Sequence, residues 1–438
     1  MSNKILFIVK SSSDNDVQAA NNYMPPLGLL SIANMLRFHG YDAQVVDFSE
    51  RIYDINEIVS IIEENNPLYI AFSVYTENVG NVFKMCRYLK RKFPSIPIVL
   101  GGPHPTLDIE YCKRKRYVDF ILIGDGEHNA LELADSLRTN QKIISFSDIK
   151  GLVYKDENEE YCQKSDRQFV TNLDLLPIIN RDYIKKCFNT TLPTVYSSRG
   201  CPGRCIYCAA PAMSGNKYRI RNIDHVFLES LYVTETCSDY YQIFYCDDTF
   251  TVFRNRLERF IELCNQPGIQ LIWRCESRVD ALYRYSDLLE GLKSAGCRRI
   301  QFGIESGNQQ VLNDIRKGLI LEQAYELIDK TVNTGIPVVT SFMFGHYCDT
   351  EETMNDTLHM MEYLKEKYGS KVEIAYGLNT PFPGTYQYNH ISELGMELLI
   401  KDFVELDMYS AVVETENFDQ KMLREFNERA MKIYNIGG

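Results

Sequence analysis

TVYSSRGCPGRCIYC, residues 194–208, places Cys201, Cys205 and Cys208 on a loop directly after a short apolar strand, TVYSSR (194–199). The spacing is x3 then x2. A loop this short can wrap three thiolates around three irons of a four-iron cluster. The fourth iron then lacks a protein ligand and is open to a small molecule, to which the cluster can pass an electron. Gly200 and Gly203 are expected to let the backbone approach sulfide. A structural zinc site wants a second pair of Cys or His at matching spacing. None stands nearby, since the next Cys is Cys237 and the next His is His225.

Working outward from the loop, strand and helix patterns alternate. On the C-terminal side, YQIFYCD (241–247), QLIWRCES (270–277), RRIQFGIES (298–306), PVVTSFMFG (337–345) and VEIAYGL (372–378) read as strands with helices between them. With 194–199 they make six strand–helix units, a parallel partial (β/α)6 barrel over 191–385. The tail, 386–438, reads as helical and polar. On the N-terminal side, KILFIV (4–9), AQVVDF (43–48), LYIAFS (68–73), IPIVLGG (96–102) and VDFILIG (118–124) are strands. Helices are expected at 25–40, 55–66, 78–93 and 125–137, the first opened by Pro and closed by Gly. This pattern predicts an α/β, doubly wound (Rossmann-like) domain of five strands over 1–140, with its ligand beyond the strands' carboxyl ends. Residues 141–190 read as a linker, with a hairpin in GLVYKDENEEYCQKS (151–165) and a surface-packed stretch TNLDLLPIINRDY (171–183).

The whole composition narrows the function. With 438 residues, 45% hydrophobic and 24% charged, the chain is an ordinary globular protein of two or three domains. No apolar run reaches the roughly 18 residues needed to span a bilayer. The first residues, MSNKILFIVKSSSDN, read as a strand rather than a signal peptide, so the expected place is the cytoplasm. A net charge of −12 argues against broad nucleic-acid or membrane binding. The 13 Cys are scattered, and most are expected to be small buried residues rather than a disulfide framework.

At CPGRCIYC the chain resembles the radical S-adenosylmethionine superfamily, whose signature is Cys-x3-Cys-x-aromatic-Cys, with Tyr207 as the aromatic. The resemblance extends over roughly 195–385. CDDTF (246–250) is similar to the segment meeting the methionine amino group, WRCESRVD (273–280) to the third strand, and FGIESG (302–307) to the end of the fourth. FMFGHYCDTEE (342–352) is similar to the segment near adenine, and PFPGT (381–385) to the closing loop. The resemblance implies a [4Fe-4S] cluster on the three cysteines. It also implies S-adenosylmethionine contacts from Tyr207, Asp247, Asp248, Ser277, Arg278, Glu305 and Ser306. Arg278 would suit the carboxylate and Glu305 the ribose, and no catalytic residue is assigned. Residue types alone leave other readings open: Arg278 paired with Asp280, Glu305 as a helix cap, Asp247 and Asp248 as a solvated strand end.

The first domain resembles the cobalamin-binding domain found ahead of many such enzymes, on PPLGLLSIANMLRFHGYD (25–42), FSVYTENV (72–79), LGGPHPT (100–106) and ILIGDGEHNALEL (121–133). The resemblance implies cobalamin contacts from Tyr75, Thr76, Glu77, Asn78, Gly101, Gly102, Gly124 and Glu127. Gly101 and Gly102 would clear the path of the nucleotide tail. The Asp-x-His-x-x-Gly loop of many cobalamin proteins is missing, because KSSSDNDVQAANN (10–22) has no His. Cobalt's lower face would then meet the 75–78 loop.

Together the two resemblances imply a radical methyl transfer to an unactivated carbon of a small molecule. One S-adenosylmethionine would methylate cobalt(I), and a second would give a 5′-deoxyadenosyl radical. A flavodoxin or ferredoxin would be the electron donor. Rearrangement, cyclisation or phosphorus methylation remain open. A transfer-RNA methylthiotransferase fits less well, because only Cys86 and Cys112 lie in the first 140 residues and the tail is short and acidic. A corrinoid-binding sensor would need no complete set of cosubstrate contacts.

Overall fold

The computed structural model describes residues 2–9, 24–48, 54–138, 145–163, 166–167, 169–180, 193–236, 242–406 and 410–435. The chain divides into two compact units, Met1–Leu192 and Pro193–Gly438.

In the first unit, β1 (Lys4–Val9), β2 (Asp42–Asp47), β3 (Tyr69–Ser73), β4 (Ile98–Gly101) and β5 (Phe120–Leu122) run parallel in the order β2-β1-β3-β4-β5. Central strands covered on both faces need unbroken apolar runs, and Ile5 to Ile8 are all buried. The helix Leu27–Phe38 follows two prolines and stops before Gly40, which adopts φ +84°. The helix Ile55–Asn65 is opened by Asp54, whose side chain accepts from Asn56 N. The strand order reverses between β1 and β3, the crevice where such sheets bind ligands. The 10–22 loop that leaves β1 there lies outside the described residues.

The sheet is larger than five strands. The hairpin β6 (Leu152–Lys155) and β7 (Tyr161–Gln163) adds antiparallel to β5, making seven. It covers an edge that would otherwise present unpaired backbone groups. Tyr161 OH fastens it by donating to Lys115 O (3.0 Å) and Val118 O (2.7 Å). The hairpin is therefore part of the sheet rather than of a linker. Downstream, Leu173 and Ile179 are buried, and Asn34 Nδ2 donates to Ile178 O. Residues 181–183 of that stretch lie outside the described residues.

The second unit opens with β8 (Thr194–Val195), β9 (Ser198–Arg199) and β10 (Arg219–Ile220). It continues with β11 (Ile243–Tyr245), β12 (Trp273–Ser277), β13 (Cys297–Glu305), β14 (Val338–Phe344) and β15 (Val372–Leu378). Strands β8, β11, β12, β13, β14 and β15 form one parallel sheet in chain order, the expected (β/α)6 arc. The expected strand 194–199 is broken in two. The carboxylate of Asp247 draws in the N–H of Ser197 (2.6 Å) and Ser198 (3.0 Å), which turns the chain out of the sheet to pair with β10 instead. Along β12 the burial alternates. Trp273, Cys275 and Ser277 are buried, whereas Arg274 and Glu276 are half-buried on the opposite face. Trp273, Tyr245, Phe250 and Phe260 form an aromatic box with ring centroids 4.8 to 5.6 Å apart.

The tail is less polar than its composition suggests. A short ladder of β16 (Glu397–Leu398) and β17 (Val413–Glu414) precedes the helix Gln420–Tyr434. That helix buries Leu423, Phe426, Ala430 and Ile433 in the core of the second unit. Among the described residues every cysteine is free. Cys86, Cys112, Cys264, Cys275 and Cys297 are the buried apolar residues expected. No described helix is long and apolar enough to cross a membrane.

Candidate active site

The cysteine loop leaves β9 and returns in β10, so its two ends are held by a ladder. Gly200 makes the exit possible. It adopts φ +87°, and a Cβ there would lie 2.2 Å from Lys217 O. In the middle of the loop, Ile206 N donates to Ile315 O (3.1 Å) and Ile206 O accepts from Gln387 N (2.9 Å). Gln387 is itself locked by two 3.1 Å bonds to Asn379.

Each cysteine sulfur receives a donor. Gly203 N reaches Cys201 Sγ at 3.4 Å, Ala210 N reaches Cys208 Sγ at 3.4 Å, and Arg278 Nη1 reaches Cys205 Sγ at 3.5 Å. Hydrogen bonds to sulfur of this kind surround cluster thiolates and tune them. Burial raises the Cys201 thiol and pushes Cys208 up to about 12. Such thiols ionise readily only when a metal's positive charge takes the proton's place. Among the described residues no three His, Cys, Asp or Glu converge as a single metal ion requires. A cubane asks less, because each thiolate takes its own iron. The donor set therefore fits a cluster better than zinc.

Beside the loop lies a buried polar chain. Lys317 Nζ donates to Glu305 Oε1 (2.7 Å) and to Tyr207 OH (3.4 Å). Burial lowers the Lys317 pKa, but the Glu305 carboxylate outweighs it and the net direction is up. Burial, reinforced by Glu305, holds the Tyr207 phenol well above its usual range, so it stays a donor. Glu305 adopts φ +76° at a bulge in β13, and a Cβ at Gly303 would lie 2.6 Å from its carboxylate. The ring of His346, at the end of β14, packs 5.4 Å from that of Tyr207. His346 is fully buried, with neither ring nitrogen hydrogen-bonded, and burial lowers its pKa. A neutral imidazole offers one donor and one acceptor, so this orphaned ring fits a polar ligand at the strand ends.

The remaining expected contacts divide sharply. Asp247 accepts from Ser197 N, Ser198 N and the Ser197 hydroxyl, and burial raises its pKa. Ser277 Oγ bonds Thr251 Oγ1 at 2.5 Å. Ser306 Oγ accepts from Asn308 N (3.1 Å) and meets Thr357 Oγ1 (3.3 Å), so it shapes the turn after β13. Asp247, Ser277 and Ser306 thus each hydrogen-bond within the protein, whereas Asp248 is exposed next to the loop. Although its side chain reaches solvent, the protein crowded around it strips part of its hydration, and this with the Asp247 charge raises Asp248, which a hydrogen bond from the Gly200 backbone offsets in part. Arg278 takes the pairing with Asp280 (2.9 Å) that its sequence left open. A Cβ at Gly203 would lie 2.4 Å from Arg278 Nη1, so that glycine makes room for the guanidinium before any sulfide. Lys317 and His346 were missed by sequence reasoning. Lys317 had one signal, its place between two residues that turn out left-handed, Arg316 (φ +56°) and Gly318 (φ +68°).

In the first unit, the expected residues line the carboxyl ends of β3, β4 and β5. Tyr75 is 44% exposed. Asn78 Oδ1 accepts from Tyr75 N (2.9 Å), which closes the loop on itself. Thr76 is buried, with its Oγ1 3.1 Å from His104 Nδ1. Burial raises the Glu77 carboxyl. Gly101 is open, since a Cβ there would meet only Leu122 O at 3.8 Å. Gly102 is required by the fold. It adopts φ +101°, and its Cβ would strike Val74 N at 2.9 Å, so the loops after β3 and β4 could not close up. Gly124 N donates to Thr106 Oγ1 (3.1 Å), and Glu127 is buried against Ser31 Oγ (2.7 Å). Glu127 is thus tied to the helix Leu27–Phe38. An open strand-end edge with a bare glycine and an exposed tyrosine fits a large planar ligand.

Comparison with known proteins places one family domain in each unit. The B12 binding domain family matches residues 16–134 and the Radical SAM superfamily matches residues 195–361. An uncharacterised methyltransferase of Pyrococcus horikoshii is 25% identical over 98% of this chain and 91% of the relative. The anaerobic magnesium-protoporphyrin IX monomethyl ester cyclase of Rubrivivax gelatinosus is 23% identical over 98% of this chain and 76% of the relative. Among solved structures, the cobalamin-dependent S-adenosylmethionine radical enzyme OxsB, with aqua-cobalamin and S-adenosylmethionine bound, superposes with a TM-score of 0.79 at 18% identity. The match covers 98% of this chain but 66% of OxsB.

Proposed function

We infer that this chain, which belongs to the cobalamin-binding radical S-adenosylmethionine enzymes, methylates an unactivated carbon of a small-molecule substrate. The observation that carries the reading is the set of three cysteine sulfurs, each with its own hydrogen-bond donor, at the carboxyl end of a parallel (β/α)6 arc, in a chain that also carries a B12-binding domain. The P. horikoshii relative is described as a methyltransferase, which supports methyl transfer over other outcomes.

Cys201, Cys205 and Cys208 would hold the cluster. Asp248 and Glu305 are the expected carboxylates with hydrogen-bonding capacity left for S-adenosylmethionine. His346, with two orphaned nitrogens, would bind a polar edge of the same molecule. In the first unit, the 75–78 loop and Gly101 would face cobalamin. When bound, the cluster supplies the electron that splits S-adenosylmethionine, and the corrinoid supplies a carrier for the methyl group. The chain's own part is to hold the ligands and keep water away from the reacting carbon. Tyr207 and Lys317 keep their protons there, with Lys317 donating to Glu305 and to the Tyr207 hydroxyl. The electron donor would be a flavodoxin or ferredoxin.

Anaerobic incubation with a reductant, candidate substrates and methyl-labelled S-adenosylmethionine tests the reading. Label in the product supports it. Formation of 5′-deoxyadenosine with an unlabelled, altered product points to rearrangement or cyclisation, the chemistry suggested by the cyclase relative. Absence of both 5′-deoxyadenosine and S-adenosylhomocysteine sinks it.

A further inference from the structure

We propose that Arg278 sets the reduction potential of the cluster through a guanidinium hydrogen bond to Cys205 Sγ, and is not the receptor for a substrate carboxylate. The proposal rests on the cluster reading above and concerns one residue's part in it.

The three cysteine sulfurs are not served alike. Cys201 and Cys208 each accept from a neutral backbone N–H two residues further on, at 3.4 Å. Cys205 accepts from a cation brought from 73 residues away, at 3.5 Å. That cation is held from every side. Its Nε donates to Asp280 Oδ1 (2.9 Å), its Nη2 to Lys317 O (2.5 Å) and its Nη1 to Cys205. Each nitrogen of the fork therefore has a partner, and its single Nε–H is spent on Asp280, which removes the edge that needs Nε from the bidentate grip by which arginine recognises a carboxylate.

One glycine makes the seat: a Cβ at Gly203 would lie 2.4 Å from Nη1. Gly318, at φ +68°, borders it with room for a Cβ 3.4 Å from Nη2. The guanidinium is 11% exposed, so water screens it little. Reducing a cluster by one electron adds a negative charge shared with its sulfurs. A fixed cation donating to one of them stabilises the reduced form more than the oxidised one, and so raises the potential. Asp280 offsets part of that charge. The other nearby cation, Lys317, is already paired with Glu305.

The test uses the full chain, reconstituted anaerobically with iron and sulfide, as wild type, R278Q, R278K and D280N. Iron and sulfide content and the absorption spectrum report loading. A dithionite titration followed by electron paramagnetic resonance reports the midpoint. R278Q is expected to shift negative, by about 59 mV for each tenfold loss of preference for the reduced state. R278K keeps the charge but not the fork and falls between R278Q and wild type. D280N shifts positive. The spectral change on adding S-adenosylmethionine persists in R278Q. Should R278Q load poorly, the order of R278K below wild type below D280N still decides. Fully loaded variants with one shared midpoint overturn the proposal. So does an R278Q protein with unchanged potential that no longer responds to S-adenosylmethionine. Wild-type protein that takes up no iron defeats the reading of the function itself, and the proposal with it.

Discussion

The two units present their candidate sites in different ways. In the second unit the strand ends carry side chains already paired with one another: Glu305 with Lys317, Arg278 with Asp280 and Cys205, Asp247 with the Ser197–Ser198 backbone. In the first unit the corresponding edge pairs neutral or singly charged groups beneath the surface, Thr76 with His104 and Glu127 with Ser31, and presents an open glycine and an exposed tyrosine. The difference matches the ligands. A small charged cluster and cosubstrate need fixed charges at fixed points, which only a packed polar network supplies. A large planar corrinoid is recognised mainly by shape, and shape needs clearance rather than charge.

If that contrast is right, the largest effects fall on the second unit. Cys201→Ser, Cys205→Ser or Cys208→Ser is expected to abolish cluster assembly and all formation of 5′-deoxyadenosine, while corrinoid binding survives. Iron content and corrinoid absorbance, measured on the same sample, check both halves. Cluster uptake should also depend on pH. Burial raises the Cys201 and Cys208 thiols, Cys208 to about 12, so at neutral pH they are protonated and lose a proton on binding iron. Apparent affinity should thus rise with pH, roughly tenfold per unit for each proton released, and fall as pH drops. A pH-independent uptake would contradict the burial of these sulfurs.

Next comes Lys317→Met, which leaves the Glu305 carboxylate buried without its cation. It is expected to cost about 3–5 kcal/mol of stability, against near neutrality for the double change with Glu305→Gln. Denaturant midpoints of the single and double variants give the answer. A single variant as stable as wild type would mean that the network is not preorganised.

In the first unit the expected effects are smaller and separate two neighbouring glycines. Gly102→Ala forces a side chain into a backbone conformation reserved for glycine and into Val74, at a cost of about 1–3 kcal/mol. Gly101→Ala should change stability by less than about 0.5 kcal/mol, since its Cβ has room, but should weaken corrinoid binding. Thermal unfolding and corrinoid titration distinguish the two. Equal behaviour of both glycines would erase the distinction between a structural and a ligand-facing residue.

Most of the fold was legible in the sequence. The strands of both sheets and the cysteine spacing follow from local pattern, and the structure reproduces VEIAYGL as β15 residue for residue. Three features were not legible. The hairpin at Leu152–Gln163 was expected but its place in the sheet was not, because its pairing partner, β5, lies some 30 residues upstream. The split between β8 and β9 depends on Asp247, about 50 residues later. The tail helix looked polar because its apolar residues, Leu423, Phe426, Ala430 and Ile433, occupy one narrow face.

The sequence by itself determined the order of elements, the two α/β units and the trio of cysteines, because these depend on periodicity and spacing within a few residues. Only the tertiary structure decided which polar side chains remain available to a ligand. Asp247 and Asp248 are adjacent in the chain, yet one is buried against the Ser197–Ser198 backbone and the other is exposed. Hydrogen-bond partners arrive from distant strands, and each bond they take leaves a carboxylate fewer lone pairs for a ligand.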